Sequence, residues 1–272
     1  MREVLEKLAR GEISVQKAEE LIKVLTIEEV GNWAKIDLGR DLRKGFPEII
    51  LAEGKSLEDL VEMAGRILKE KGRVIVSRAS QLQVEALMDV LSKDRSTQLY
   101  SKAGMVVAKQ MGYEVEKTGG RIGILTGGTT DIPVAEEARI VSEEMGCEVV
   151  IAYDVGAAGI HRTFQALKEM VARDVDVIIA VAGREGALPT IVAGMVDVPV
   201  IAVPCSTGYG LGKGGVSALM AMLQSCSLGL AVVNIDGGVA AGAVATLIAN
   251  RVAKFRGKSN IGKKRPNTNV VG

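Results

Sequence analysis

Between residues 121 and 255, short apolar runs rich in β-branched residues alternate five times with stretches of helical periodicity, and this alternation leaves the chain few ways to fold. The runs at 122–125, 148–153, 177–181, 198–203 and 231–235 are nearly continuous in Val, Ile, Leu and Ala, as strands covered on both faces must be. Helical spacing lies between them at 134–145, 164–173, 187–195 and 216–224, and again at 239–255. Strand–helix–strand connections of this kind require parallel neighbours and right-handed crossovers. The expected fold is α/β: a doubly wound parallel sheet in a three-layer αβα sandwich of flavodoxin-like type. Ligands of such sheets bind outside the carboxyl ends of the strands, so the loops after each strand hold the candidate chemistry.

The first 119 residues read as a smaller α/β domain. Helices are expected at 2–9 and 15–25, joined at Gly11 with Ser14 as an N-cap, and strands at 33–37 and 48–52. A helix follows at 56–69, with Ser56 as N-cap and Asp59 at the capping-box position, then a strand at 74–76 and a helix at 82–91. A further strand and helix are expected up to Met111. The glycine pair Gly119-Gly120 marks the boundary, which gives domains at 1–119 and 120–256. Residues 257–272 are rich in Lys, Gly, Asn and Pro without apolar periodicity and are expected to be a disordered, solvated tail.

Composition removes several partner classes. The formal net charge is +1 and only 3% of residues are aromatic, so the basic face and stacking platforms of a nucleic-acid binder are not expected. The N-terminal 25 residues are charged throughout and lack the apolar core of a signal peptide, and apolar runs such as 175–182 are too short to span a bilayer. Cysteines 147, 205 and 226 make an odd number without paired spacing, which argues against a disulfide framework and fits a reducing, cytoplasmic compartment. With one histidine, a His/Cys zinc site would have to gather nearly every candidate ligand.

After the first strand comes Thr126-Gly127-Gly128-Thr129-Thr130-Asp131-Ile132-Pro133. Gly127 and Gly128 let backbone N–H groups approach an anion, Thr129 and Thr130 add hydroxyl donors, and the following helix presents its positive end. Asp131 can cap that helix within the same cradle. The second loop, 154–163, places His161 beside Arg162, a natural phosphate partner; a structural and a functional reading of the histidine both stand. In the third, Gly183-Arg184-Glu185-Gly186, the charged pair is either a solvated turn or a general acid/base set over a strand end. The fourth, 204–215, contains Gly208, Tyr209 and Lys213 as candidate ligand contacts. Its Gly210-x-Gly212-x-x-Gly215 pattern reads as a Gly-rich lid, because a dinucleotide fingerprint starts at the strand end and here six residues intervene. The last segment, Ser225-Cys226-Ser227-Leu228-Gly229, leaves Cys226 either a small apolar filler or a nucleophile.

Taken together these loops resemble the PurE-type phosphoribosylaminoimidazole carboxylases. The family's G-S-x-S-D is echoed in Gly128-Thr129-Thr130-Asp131, its A-H-R-T-P in Ile160-His161-Arg162-Thr163-Phe164, and its A-G-x-x-x-x-L-P-G-x-V-A in residues 182–193. The catalytic histidine of those carboxylases, just before L-P, corresponds here to Ala187. The PurE-related LarB subfamily is similar over nearly the whole chain. Its G-T-S-D-I-P-V-A-E-E-A appears at 128–138 with Thr130 in place of Ser, and its V-G-x-A-G-I-H-R, G-R-E-G-A-L-P and S-C-x-x-G-L-x-V-x-N-I-D appear at 155–162, 183–189 and 225–236. Asp37-x-x-Arg40 and Gly45-x-Pro47-Glu48 also look like that family.

The resemblance implies carboxylation of the pyridinium ring of nicotinic acid adenine dinucleotide by CO2 or bicarbonate. Phosphoanhydride cleavage would release AMP and give pyridinium-3,5-biscarboxylic acid mononucleotide for a nickel-pincer cofactor of lactate racemase. It implies Cys226 as nucleophile and Glu185 as proton acceptor. His161, Arg162, Asp131 and the glycine loops would hold the dinucleotide and any Mg²⁺ on its phosphates, and NAD or AMP are further expected ligands. A symmetric homo-oligomer, tetramer or octamer, is also expected, with the small residues Ala240, Ala241, Ala243, Ala245 and Ala249 permitting close helix contact. The competing readings are a carboxylase or mutase of the purine pathway and a noncatalytic nucleotide-binding sensor.

Overall fold

The computed structural model describes residues 2–25, 27–30, 34–37, 40, 44–93 and 97–261. The chain divides into two compact units, Met1–Glu114 and Val115–Gly272.

The first unit opens with amphipathic helices α1 (Arg2–Ala9) and α2 (Val15–Leu25), the latter started by Ser14, whose Oγ accepts the Lys17 N–H at 3.1 Å. An antiparallel ribbon of β1 (Ile27–Val30) and β2 (Ala34–Asp37) follows; Trp33, expected to start a strand, lies outside the described residues. Next come β3 (Ile49–Leu51), α3 (Leu57–Lys71), β4 (Arg73–Ser77), α4 (Gln81–Ser92), β5 (Thr97–Lys102) and β6 (Met105–Gln110). The four later strands form one mixed sheet in the order β3-β4-β6-β5. Leu60, Ala64, Ile67 and Leu87 from the two helices pack with Val74, Val76 and Val106 of this sheet. Ser56 caps α3 through the Asp59 N–H, and Ser80 with Gln83 forms a complete capping box on α4. The helix expected before Met111 is instead the second arm of a hairpin. Ala103 and Gly104 both have positive φ, 54° and 73°, which is the two-residue turn that matches strand twist, and Lys102 pairs directly with Met105 across it.

The second unit is the doubly wound sandwich expected from the alternation. Its elements are β7 (Arg121–Thr126), α5 (Ile132–Glu144), β8 (Glu148–Ala152), α6 (Ile160–Ala172), β9 (Val177–Ala182), α7 (Ala187–Ala193), β10 (Val200–Pro204), α8 (Val216–Leu223), β11 (Leu230–Val232) and α9 (Gly238–Ile261). All five strands are parallel, in the order β11-β10-β9-β7-β8. One face is covered by Leu167, Met170, Leu188, Val192 and Met222, from α6, α7 and α8. The other is covered by Ala135, Ala138, Ala241, Ala245 and Ala249, from α5 and α9. Strand order reverses between β7 and β9, so their loops leave in opposite directions and open a crevice between them.

Three expectations need correction. Strand β11 ends at Val232 rather than 235: the Val233 N–H still bonds the Ala202 carbonyl of β10, but the chain then leaves the extended conformation, and Asp236 takes φ 55° with its N–H on the Pro204 carbonyl. The last helix runs to Ile261, five residues into the stretch expected to be disordered; one turn earlier Arg256 pairs with Asp176 and donates to the Gly119 carbonyl at 3.2 Å. Ala241, Ala245 and Ala249 are fully buried inside this chain, so these small residues serve close packing of α9 on α5 and the sheet rather than contact between copies. Gly238 and Gly242 continue that face. A side chain at Gly238 would overlap the Val134 carbonyl, and one at Gly242 would lie 2.8 Å from the Ala138 carbonyl. Gly238→Ala should therefore lower unfolding free energy by about 1–3 kcal/mol, the scale of overpacking. Ala240→Leu, one turn face away and exposed, should stay within about 0.5 kcal/mol. Urea denaturation of the two variants checks the contrast.

Candidate active site

At the reversal point the loops after β7, β8, β9 and β10 enclose a cleft of about 450 Å³, within the range of small-molecule sites. Gly127 leaves β7 by donating its N–H to the Val181 carbonyl at 2.8 Å, and Val155 returns an N–H to Thr126 at 2.9 Å. The loops then pass so closely that only glycine fits. A side chain at Gly156 would overlap the Gly127 carbonyl, and one at Gly183 would lie 2.5 Å from the Thr207 carbonyl.

Asp131 ties these loops together. One carboxylate oxygen accepts the Gly128 N–H at 2.8 Å and the other accepts the Thr207 hydroxyl at 3.1 Å. The side chain makes no capping bond to α5, so of the two roles open in the sequence it serves the loops. Burial pushes its pKa above the usual carboxylate range, against the opposing donors of Gly128, Thr207, Cys205 and Gly183. The Cys205 thiol lies against it, fully buried and pushed far up by that burial and by the neighbouring Asp131 and Asp236 carboxylates, so it is a proton-bearing thiol rather than a thiolate.

Of the residues singled out in the sequence, Gly127, Gly128, Thr130, Asp131, Gly183, Arg184 and Glu185 line the cleft. Thr129 stands exposed in the short 3₁₀ turn beside them. Glu185 is exposed at the cleft, next to Ala187 and Leu188 at the start of α7. Arg184 sits in the left-handed region, φ 50°, with its carbonyl accepting the Ser217 hydroxyl at 2.8 Å. Its guanidinium lies 4.5 Å from the Tyr209 ring centroid, and a side chain at Gly208 would meet the Arg184 nitrogen at 3.7 Å. Lys213, at the end of the 3₁₀ turn Gly210–Gly212 in that loop, is exposed and outside the lining.

The structure does not bring every such residue in. His161 is exposed on the first turn of α6, and Arg162 pairs with Asp154 at 2.6 Å; their loop meets the cleft instead through Gly156, Ala157 and Ala158. Cys226 is exposed and lies outside the cleft lining, in the segment between α8 and β11. Its neighbours Ser225 and Ser227 bond to Thr190, midway along α7. Thr207 was missed in the sequence; a hydroxyl residue three places after a buried strand was the available signal. Among the described residues no cluster of three or more His, Cys, Asp or Glu could hold a metal ion, and no helix is long and apolar enough to cross a membrane.

Comparison with known proteins bears on both units. The AIR carboxylase family model matches residues 121–265, and the model of the LarB/PurE-like N-terminal domain matches 27–110. An uncharacterized protein of Methanocaldococcus jannaschii is 43% identical over 93% of this chain and 98% of its own length. The N5-carboxyaminoimidazole ribonucleotide mutase of Thermotoga maritima is 35% identical over 38% of this chain, and that of Pyrococcus horikoshii 33% over 42%. The matches span 59% and 64% of those two mutases. Among solved structures, a PurE2 variant of Treponema denticola is 22% identical and covers 53% of this chain, with a TM-score of 0.37.

The raised pKa of Asp131 has a stability signature. A group whose folded pKa lies above its unfolded value, 3.8 here, contributes stability that is complete below that value and is lost as pH rises through the folded pKa. Wild type and Asp131→Asn, denatured across an acid-to-neutral series, should show a stability difference in favour of wild type that shrinks with rising pH and then levels. A difference that grows with pH would mean that the hydrogen bonds outweigh burial.

Proposed function

The chain belongs to the AIR carboxylase family, and from that premise we propose that it carboxylates the pyridinium ring of nicotinic acid adenine dinucleotide, with phosphoanhydride hydrolysis releasing AMP. The product would be pyridinium-3,5-biscarboxylic acid mononucleotide, a precursor of the nickel-pincer cofactor of lactate racemase. The observation that carries this reading is the third loop: Glu185 and Ala187 both line the cleft beside the Gly127-Gly128 cradle. The position that resembles the purine enzymes' histidine holds a methyl group, and the ionisable group beside it is a carboxylate. The match of 27–110 to the LarB/PurE-like N-terminal domain supports the same choice.

The residues suit that chemistry. A pyridinium ring is too electron-poor to attack CO2. Addition of the Cys226 thiolate ortho or para to the ring nitrogen forms a C–S bond and moves an electron pair to nitrogen, leaving an enamine that is nucleophilic at the meta carbon. That carbon bonds to CO2, supplied as such or from bicarbonate. Glu185 then takes the ring proton, the C–S electrons return to sulfur, and aromaticity is restored. Gly127, Gly128, Thr129 and Thr130 would receive the phosphates on backbone N–H groups and hydroxyls. Arg184, which lines the cleft, would supply a cation beside them with Gly183 as a further contact, while Arg162, Lys213, His161, Gly208 and Tyr209 lie outside the lining and would join only by movement on binding. Mg²⁺ enters only as the companion of the substrate's phosphates.

Cys226 lies outside the lining that holds Glu185, and we propose that the two meet in a homo-oligomer, tetramer or octamer, in which one copy's cysteine reaches another's cleft. Met220, Leu223 and Leu228, exposed by 62, 65 and 92%, flank Cys226 with the apolar surface such a contact uses. Incubation with the dinucleotide, bicarbonate and Mg²⁺ should yield AMP and the dicarboxylated mononucleotide by mass spectrometry. Glu185→Gln and Cys226→Ser should each lose at least about 100-fold in turnover. The serine variant should keep dinucleotide affinity within about tenfold, or about 1.4 kcal/mol. Co-expressing the two inactive chains should restore part of the activity; no restoration would place both groups in one chain. Turnover of aminoimidazole ribonucleotide alone would establish the purine reading, and binding without turnover the sensor.

A further inference from the structure

The loop 207–215 carries an aromatic ring that the proposed chemistry leaves without a specific task. Tyr209 is 70% exposed, in a chain where aromatic residues are scarce, and one cation already lies over its ring: the Arg184 guanidinium, 4.5 Å from the centroid. That distance is within the reach of cation–π attraction. The backbone beneath the guanidinium is held in place. Arg184 keeps φ 50° while Ser217 bonds its carbonyl, and Gly212 packs so closely that a side chain there would lie 3.2 Å from the Arg184 Cα. The Arg184 side chain, by contrast, is exposed and lines the cleft that holds the glycine cradle.

We propose that Tyr209 is the ring platform of this site and selects a cationic heteroaromatic ring. A ligand's pyridinium would replace the Arg184 guanidinium on the tyrosine face, and the guanidinium would turn to the ligand's phosphates. One cation is exchanged for another on the ring, so the aromatic face loses nothing while the phosphates gain a partner. An uncharged ring of the same shape offers no such exchange. The phenol hydroxyl takes no part. This selection rests on reading the cleft as a pyridinium-dinucleotide site.

Oxidised and reduced nicotinamide dinucleotides, NAD+ and NADH, differ in the charge of that ring and serve as probes. Calorimetric titration of the full-length Cys226→Ser protein, which cannot form the thiol adduct, should show NAD+ bound about tenfold more tightly than NADH, the scale of one cation–π contact. Adding Tyr209→Phe should keep the preference. Adding Tyr209→Leu should bring NAD+ down to the level of NADH and leave AMP affinity unchanged. Equal weakening of all three ligands by the leucine variant, or no weakening of NAD+, would overturn the platform. Dinucleotide binding without any preference for the charged ring would sink this selection alone. Failure of the Cys226→Ser protein to bind either dinucleotide would remove the reading of the cleft and the platform with it.

Discussion

The carboxylate of Asp131 holds together loops that come from distant parts of the chain. It takes the Gly128 N–H from its own turn and the Thr207 hydroxyl from a loop 76 residues away, and it lies against the buried Cys205 thiol. Removing an acidic group this deep from water is costly, and its raised pKa records that cost. The donors around it compensate only if each loop stands where it does. Gly156 and Gly183 are consequences of the same constraint, because the loops converge on the carboxylate too closely for side chains. The cleft is the space that remains above this junction.

Most of the second unit was legible in the sequence because its signals are local. An apolar run such as Val177–Ala182 reports its own burial on both faces, and the alternation with helices leaves only parallel crossovers. The errors fell where a neighbour or a turn decides the outcome. The hairpin at Ala103-Gly104 depends on two consecutive positive φ angles, and an Ala-Gly pair is a weaker signal for them than Asn-Gly. The alanines of α9 looked suited to contact between copies, yet a small-residue face says only that something approaches closely, and here that partner is α5.

The site was legible in part for the same reason. Topology alone sends ligands to the carboxyl ends of the strands, and Gly127, Gly128, Asp131 and Glu185 were found by that rule. Thr207 escaped because its contact joins residues that nothing local relates. Cys226 joins the cleft residues by its motif, yet it lies outside the lining, four residues before β11 begins. Membership of the motif and membership of the lining are separate things there.

The brevity of β11 also matters for solubility. It is the terminal strand of the sheet and offers only Leu230–Val232 as regular outer backbone, because beyond Val233 the chain leaves the extended conformation and Asp236 takes φ 55°. Three residues give an incoming strand little to template on, which is a common protection against edge-to-edge aggregation. Growth by strand addition is therefore disfavoured on this side, and copies that meet there must do so through the side chains of helices and loops, where complementarity sets a finite assembly instead of an open-ended ribbon.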